Sequence, residues 1–185
     1  MNEDYGKQMG AAIEAVALLQ SDISRLFREM HSDEFRGYES VFGSYCTRDV
    51  PRDYKRSRWM PKAVYRYYRK PSSSVIDGVT VIFLSEKSKL EEPLLVAFQL
   101  KYRSTASGKP KKCKEWDAYN LYLNASDYVP NGEVVVQEFK PEDSPDQRLR
   151  WAKLAAVPVY SIEDRDHVRR LVEKVRRENV DELEP

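Results

Sequence analysis

At 185 residues, 33% of them charged, with a mean hydropathy of −0.69, the chain is long enough for one sizeable core. It holds no apolar run of the ~18 residues that a membrane span requires. Its two cysteines and two histidines lack metal-ligand spacing, and its seven glycines form neither a GxGxxG nor a GxxxxGK[ST] loop, which argues against zinc, triad and nucleotide-dependent chemistry. The formal net charge of +1 hides a segregation: residues 45–70 carry nine bases against two acids, a net of +7, whereas the final ENVDELEP carries four acids and no base.

The opening MNEDYGKQ is acidic and polar, unlike a signal peptide, and a lone pair of cysteines fits a reduced compartment, so a cytoplasmic location is expected. Met9, Ala12, Val16, Leu19, Ile23, Leu26 and Met30 recur in alternating steps of three and four and place a helix over 9–30. Its stripe suits a sheet or a partner helix, and this helix is the expected route to any homo-oligomer. Residues 36–60 have no sustained period and read as a long connection, with a short strand near 41–46.

Three strands follow: KAVYRYYR (62–69), SVIDGVTVIFLS (74–85) and PLLVAFQLKYRS (93–104). Their short polar connections fit antiparallel hairpins. On the third, Val96, Phe98, Leu100 and Tyr102 form the buried face and Ala97, Gln99, Lys101 and Arg103 the solvated one. Asp77-Gly78 reads as a turn or a bulge beside the second strand. WDAYNLYLNASDY is balanced between helix and strand. Its asparagines favour the strand, with Asn131-Gly132 as the turn into EVVVQEF. A short helix begins at Pro145 and covers PDQRLRWAKLAA, followed by a buried strand VPVYSI (157–162). Ser161 with Asp164 resembles a capping box for a last helix that presents Val168, Leu171, Val172 and Val175 on one side. Its acids come early and its bases late, as the helix dipole prefers.

The expected fold is α+β, a single domain over 1–185. A mainly antiparallel sheet of about five or six strands is packed by the long N-terminal helix and by one or two C-terminal helices. The helix occupies 1–35, the basic connection 36–60, the sheet 61–140 and a helix–strand–helix unit 144–180.

The succession of a helix, three antiparallel strands, a helical segment and further strand resembles the core of the PD-(D/E)XK nuclease superfamily. Asp77 in VIDGVTV and Gln99-Leu100-Lys101 in VAFQLKY carry the resemblance, which covers about residues 9–125. It implies Asp77 and Gln99 as ligands of Mg²⁺ or Mn²⁺ and Lys101 as the residue that positions the attacking water. Gln99 and Lys101, two apart on a strand, necessarily share a face. Many members add a glutamate on the first helix. Here that residue would be Glu14, which at 100° per residue falls nearly opposite the apolar stripe.

The basic residues carry a second reading. Arg56, Arg58, Arg66, Arg69 and Lys70 are interleaved with Trp59 and tyrosines. Lys101, Arg103, Lys111 and Lys112 form a second basic stretch that hairpin-linked strands would bring close. Lysine and arginine neutralise phosphates, and exposed aromatics stack on unpaired bases. The leading expectation is a non-catalytic binding protein whose basic, aromatic surface contacts nucleic acid or an acidic protein surface, without membrane or cofactor. The metal-dependent nuclease is the alternative.

Overall fold

The computed structural model describes residues 3–42, 46–48, 62–83, 92–104, 112–114, 117–124, 130–140 and 148–178. The chain divides into two compact units, Met1–Arg36 and Gly37–Pro185.

The first unit is one helix, α1 (Glu3–Asp33). Along the expected stripe Ile23 and Met30 are buried, together with Phe27 and the following Phe35. Met9 and Ile13, near the other end, are exposed. Glu14 is exposed, as its place opposite the stripe requires.

The second unit is built on an antiparallel sheet of seven strands. They are β1 (Glu39–Ser40), β2 (Cys46–Arg48), β3 (Ala63–Arg69), β4 (Val75–Ile82), β5 (Leu94–Tyr102), β6 (Val135–Glu138) and β7 (Leu149–Pro158). The order across the sheet is β1-β3-β4-β5-β7-β6, with β2 also paired to β3. The helices of this unit are α2 (Asp117–Asn124) and α3 (Arg165–Arg177). The α+β class and the antiparallel sheet expected from the sequence are the ones observed. The three central strands lie within the predicted ranges; of the short strand expected near 41–46, residues 41–42 are not strand and 43–45 lie outside the described residues, while β1 and β2 flank that range and share only Cys46 with it. No helix among the described residues is long and apolar enough to cross a membrane.

Each face of the sheet has its own helix. On one, Tyr65, Tyr67, Val96, Phe98, Leu100, Tyr102 and Leu154 cluster with Ala118, Tyr119 and Tyr122 of α2. On the other, α3 lies over β5 and β7, where Leu95, Ala97 and Ala155 are fully buried and the predicted Val168, Leu171, Val172 and Val175 close the layer. The second face of β5 is therefore not the solvated one that its alternation suggests. Ala97 is covered, and Gln99 is half-buried.

Five local readings are corrected. Residues 117–124 form the helix α2 rather than a strand. Tyr119 and Tyr122 are the reason: three apart, they reach the core together only on a helix, and that burial outweighs the poor propensity of asparagine. The helix expected over 145–156 is instead strand β7 from Leu149. Its alanines suit a helix, but Ala152, Ala155 and Ala156 sit fully buried in a strand paired on both sides, where neighbours approach closely. The predicted strand 157–162 supplies only the end of β7, and Val159–Ser161 turns as a 3-10 helix.

The cap of α3 is Asp164, which accepts a hydrogen bond from the His167 amide at 2.7 Å, while Ser161 Oγ donates to the Pro158 carbonyl. Finally, Asp77-Gly78 is neither turn nor bulge, since both residues pair in unbroken register with Gln99 and Phe98. Gly78 is needed for space. A Cβ there would stand 2.3 Å from the Arg66 carbonyl oxygen and 2.3 Å from the Phe98 ring. The bulge lies instead between β5 and β7, at Lys101/Tyr102.

Candidate functional site

Registers across the sheet line up one polar rung on the α3 face. Tyr68 pairs with Asp77, Asp77 with Gln99, and Gln99 with Lys153. The next rung towards the β5 terminus runs Val75, Lys101, Trp151, Glu138. Asp77, Gln99 and Lys101 thus lie together on one face, as the nuclease resemblance implies. Three residues that the sequence reading did not single out join them: Trp151, Lys153 and, from the end of α3, Arg176.

The charges of this group are mutually engaged. Gln99 Nε2 donates to Asp77 Oδ1 at 2.8 Å, and Arg176 Nε lies 3.6 Å from Asp77 Oδ2. A carboxylate only accepts, so the amide nitrogen of Gln99 must be the end that faces it. Lys153, 3% exposed, donates to the Glu178 carbonyl at 2.9 Å and lies 3.5 Å from the Arg176 carbonyl. It thereby satisfies the end of α3, where the helix dipole favours a cation. Its Nζ also sits 5.0 Å from the centre of the Trp151 ring. Tyr38 carries two cations on its ring, Lys70 at 5.5 Å and Arg176 at 5.4 Å. Lys101 is half-buried and forms no hydrogen bond or ion pair among the described residues.

As arranged, these residues do not fit a divalent cation. The single carboxylate already accepts from an amide and faces a guanidinium, and Lys153 and Arg176 add positive charge where a metal needs oxygen donors. Among the described residues no three or more His, Cys, Asp and Glu side chains come together as a ligand set.

The basic residues of the second reading separate. Arg66 lies on the α3 face, and Lys70 just beyond β3 reaches the same Tyr38 ring as Arg176, whereas Arg69 lies on the α2 face and pairs with Glu39 at 3.7 Å. The strand period of two sends neighbouring arginines to opposite sides. Arg103 donates to the Leu149 carbonyl at 3.1 Å and to the Phe139 carbonyl, so its guanidinium ties strands together instead of extending the basic surface. Lys112 is exposed. Arg56, Arg58, Trp59 and Lys111 lie outside the described residues.

A second polar cluster lies on the α2 face and was not anticipated. Asp117, 7% exposed at the start of α2, takes a two-pronged ion pair from Arg148, at 2.6 Å and 3.1 Å. Tyr102 Oη donates to it at 2.7 Å and the Lys114 amide at 2.9 Å. Tyr102 Oη also lies 3.0 Å from Cys113 Sγ. Burial pushes the Cys113 thiol up to about 12 and raises the phenols of Tyr67 and Tyr102, both also disfavoured as anions beside Asp117 and Cys113. A thiol held protonated in this way is a poor nucleophile. The cluster joins β5, the segment before α2 and β7. Only Asp117 heading a helix hinted at it, and the strand reading of 116–125 concealed that.

No family model, curated protein or solved structure matches the chain.

Proposed function

We propose that the chain is a non-catalytic binding protein that contacts nucleic acid through the end of the α3 face beyond the helix. The observation that carries this reading is the charge balance there. Lys70, Lys101, Lys153 and Arg176 outnumber the two carboxylates of that face, Asp77, which is already paired with Gln99 and Arg176, and Glu138, the cross-strand neighbour of Trp151. A surplus of cations on one face attracts phosphates and releases their counterions.

The test is a binding and cleavage assay on single- and double-stranded DNA and RNA, with and without Mg²⁺ or Mn²⁺. The reading expects binding that weakens steeply with salt, weakens further in Lys101→Glu, and leaves the nucleic acid intact. Binding to none of these at low salt sinks it, and tighter capture of an acidic protein surface replaces it.

One observation favours the nuclease alternative. Helix α2 follows the third central strand, which restores the order of elements that the superfamily resemblance requires. Under that reading Asp77→Ala and Lys101→Ala abolish a cleavage that depends on added metal.

A further inference from the structure

Trp151 stands between two cations on the α3 face. Lys101 is its direct cross-strand neighbour, and Lys153 lies against its ring at 5.0 Å. Paired side chains on adjacent strands lie about 5 Å apart at Cβ, so Lys101 reaches anything that sits on the indole. Trp151 is half-buried rather than enclosed, and Lys153 stands against its ring. The bulge between Lys101 and Tyr102 contributes. It sends Leu149 to pair with Tyr102, whereas Trp151 pairs with Lys101. Glu138, exposed, is the neighbour of Trp151 on the opposite side and the acid nearest to it in the register.

We infer that this end of the face is a stacking platform for single-stranded nucleic acid: Trp151 takes the face of an unpaired base, and Lys101 the phosphate beside it. The inference rests on the nucleic-acid reading above and specifies its substrate. A cation-flanked aromatic on a sheet surface is the combination that binds single strands with little regard to sequence, because every base offers a π-face. In a duplex those faces are already stacked on one another, so a side chain lying on a sheet does not reach them. Glu138 repels phosphate on the β6 side, which leaves the β5 side, where Lys101 stands, as the path of the backbone.

The experiment measures binding of the full chain to a fluorescent oligothymidylate of about 12 nucleotides, to the same strand annealed to its complement, and to polyglutamate. The single strand is expected to bind at least tenfold more tightly than the duplex. Trp151→Leu should weaken it by about five- to a hundredfold, and Trp151→Phe, which keeps a ring, by much less. Lys101→Met should lower the slope of log affinity against log salt by about 0.7, and Glu138→Gln should tighten binding. Circular dichroism of each variant establishes that it is folded, and Trp151→Phe keeps the test decisive if the leucine variant is not. Equal affinity for duplex and single strand, or a folded Trp151→Leu that binds as the parent does, overturns the platform while leaving nucleic-acid contact standing. Binding of polyglutamate as tight as that of the oligonucleotide, or no binding of either nucleic acid, overturns both.

Discussion

Replacing Asp77 by alanine separates a structural rung from a catalytic one. The Asp77 side chain is 9% exposed and that of Arg176 23%. The substitution removes the acceptor of the 2.8 Å bond from Gln99, which as a bond to a charged group contributes about 1.5–3 kcal/mol. It also removes the counter-ion of Arg176, a contact of 3.6 Å on a side chain that water still reaches, worth about 0.5–1 kcal/mol. The loss should therefore be about 2–4 kcal/mol, which for a chain of this size lowers Tm by roughly 5–15 °C. Asp77→Asn keeps a neutral acceptor and should lose about half as much.

Urea unfolding followed by circular dichroism measures the effect. The cycle of Asp77→Ala, Gln99→Leu and the double variant should show coupling of at least about 1 kcal/mol, because the two side chains satisfy each other. Stability of Asp77→Ala within about 0.5 kcal/mol of the parent would refute the reasoning. So would Mg²⁺ raising the Tm of the parent but not of Asp77→Ala, since the carboxylate would then be a metal ligand rather than the partner of Gln99 and Arg176.

Other substitutions test the frame around this face. Gly78→Ala, with no room for a Cβ between the Arg66 carbonyl and the Phe98 ring, should cost about 3 kcal/mol or fail to fold, read by the same urea transitions. Arg148→Leu leaves the Asp117 carboxylate buried without its cation and should cost about 2–4 kcal/mol, more than Arg177→Leu, whose ion pair with Glu173 lies at the surface. In a Cys46→Ser background, Cys113 should resist a disulfide reagent at pH 8 in the native protein and react on unfolding, since its thiol is raised to about 12. That thiol and the Tyr122 phenol, also raised to about 12, bind their protons more tightly folded than unfolded. Their contribution is full below the unfolded values of about 8.5 and 10 and is lost as pH climbs towards 12, so denaturant midpoints should fall steadily across that alkaline range. A midpoint flat from pH 8 to about 11 would contradict this sign.

The elements legible in the sequence were those whose pattern is local. The steps of three and four in α1 and α3, and the β-branched and aromatic runs of β3, β4 and β5, each state their own period, and the antiparallel class followed from short connections between those strands. The two segments misread, 117–124 and 149–158, are those in which local preference and tertiary burial disagree. Asparagines in α2 speak against a helix and alanines in β7 speak for one, yet each segment takes the form that buries Tyr119 and Tyr122, or Ala152, Ala155 and Ala156. The same misreading concealed Trp151 and Lys153. In a solvated helix a lysine asks for no explanation, whereas in a central strand a buried one does.

Within the sequence itself lay the shared face of Gln99 and Lys101, because a strand alternates whatever surrounds it. The apolar side of α3 and the imbalance of charge along the chain were likewise fixed before folding. Which residues meet that face was decided by register and by packing across the sheet. Pairing set Asp77 against Gln99 and Gln99 against Lys153, and α3 brought Arg176 to Asp77 from about a hundred residues away in the chain. Spacing along a sequence states which side chains point the same way. Only tertiary contact determines whether a carboxylate among them is left for a ligand or taken by a neighbouring cation.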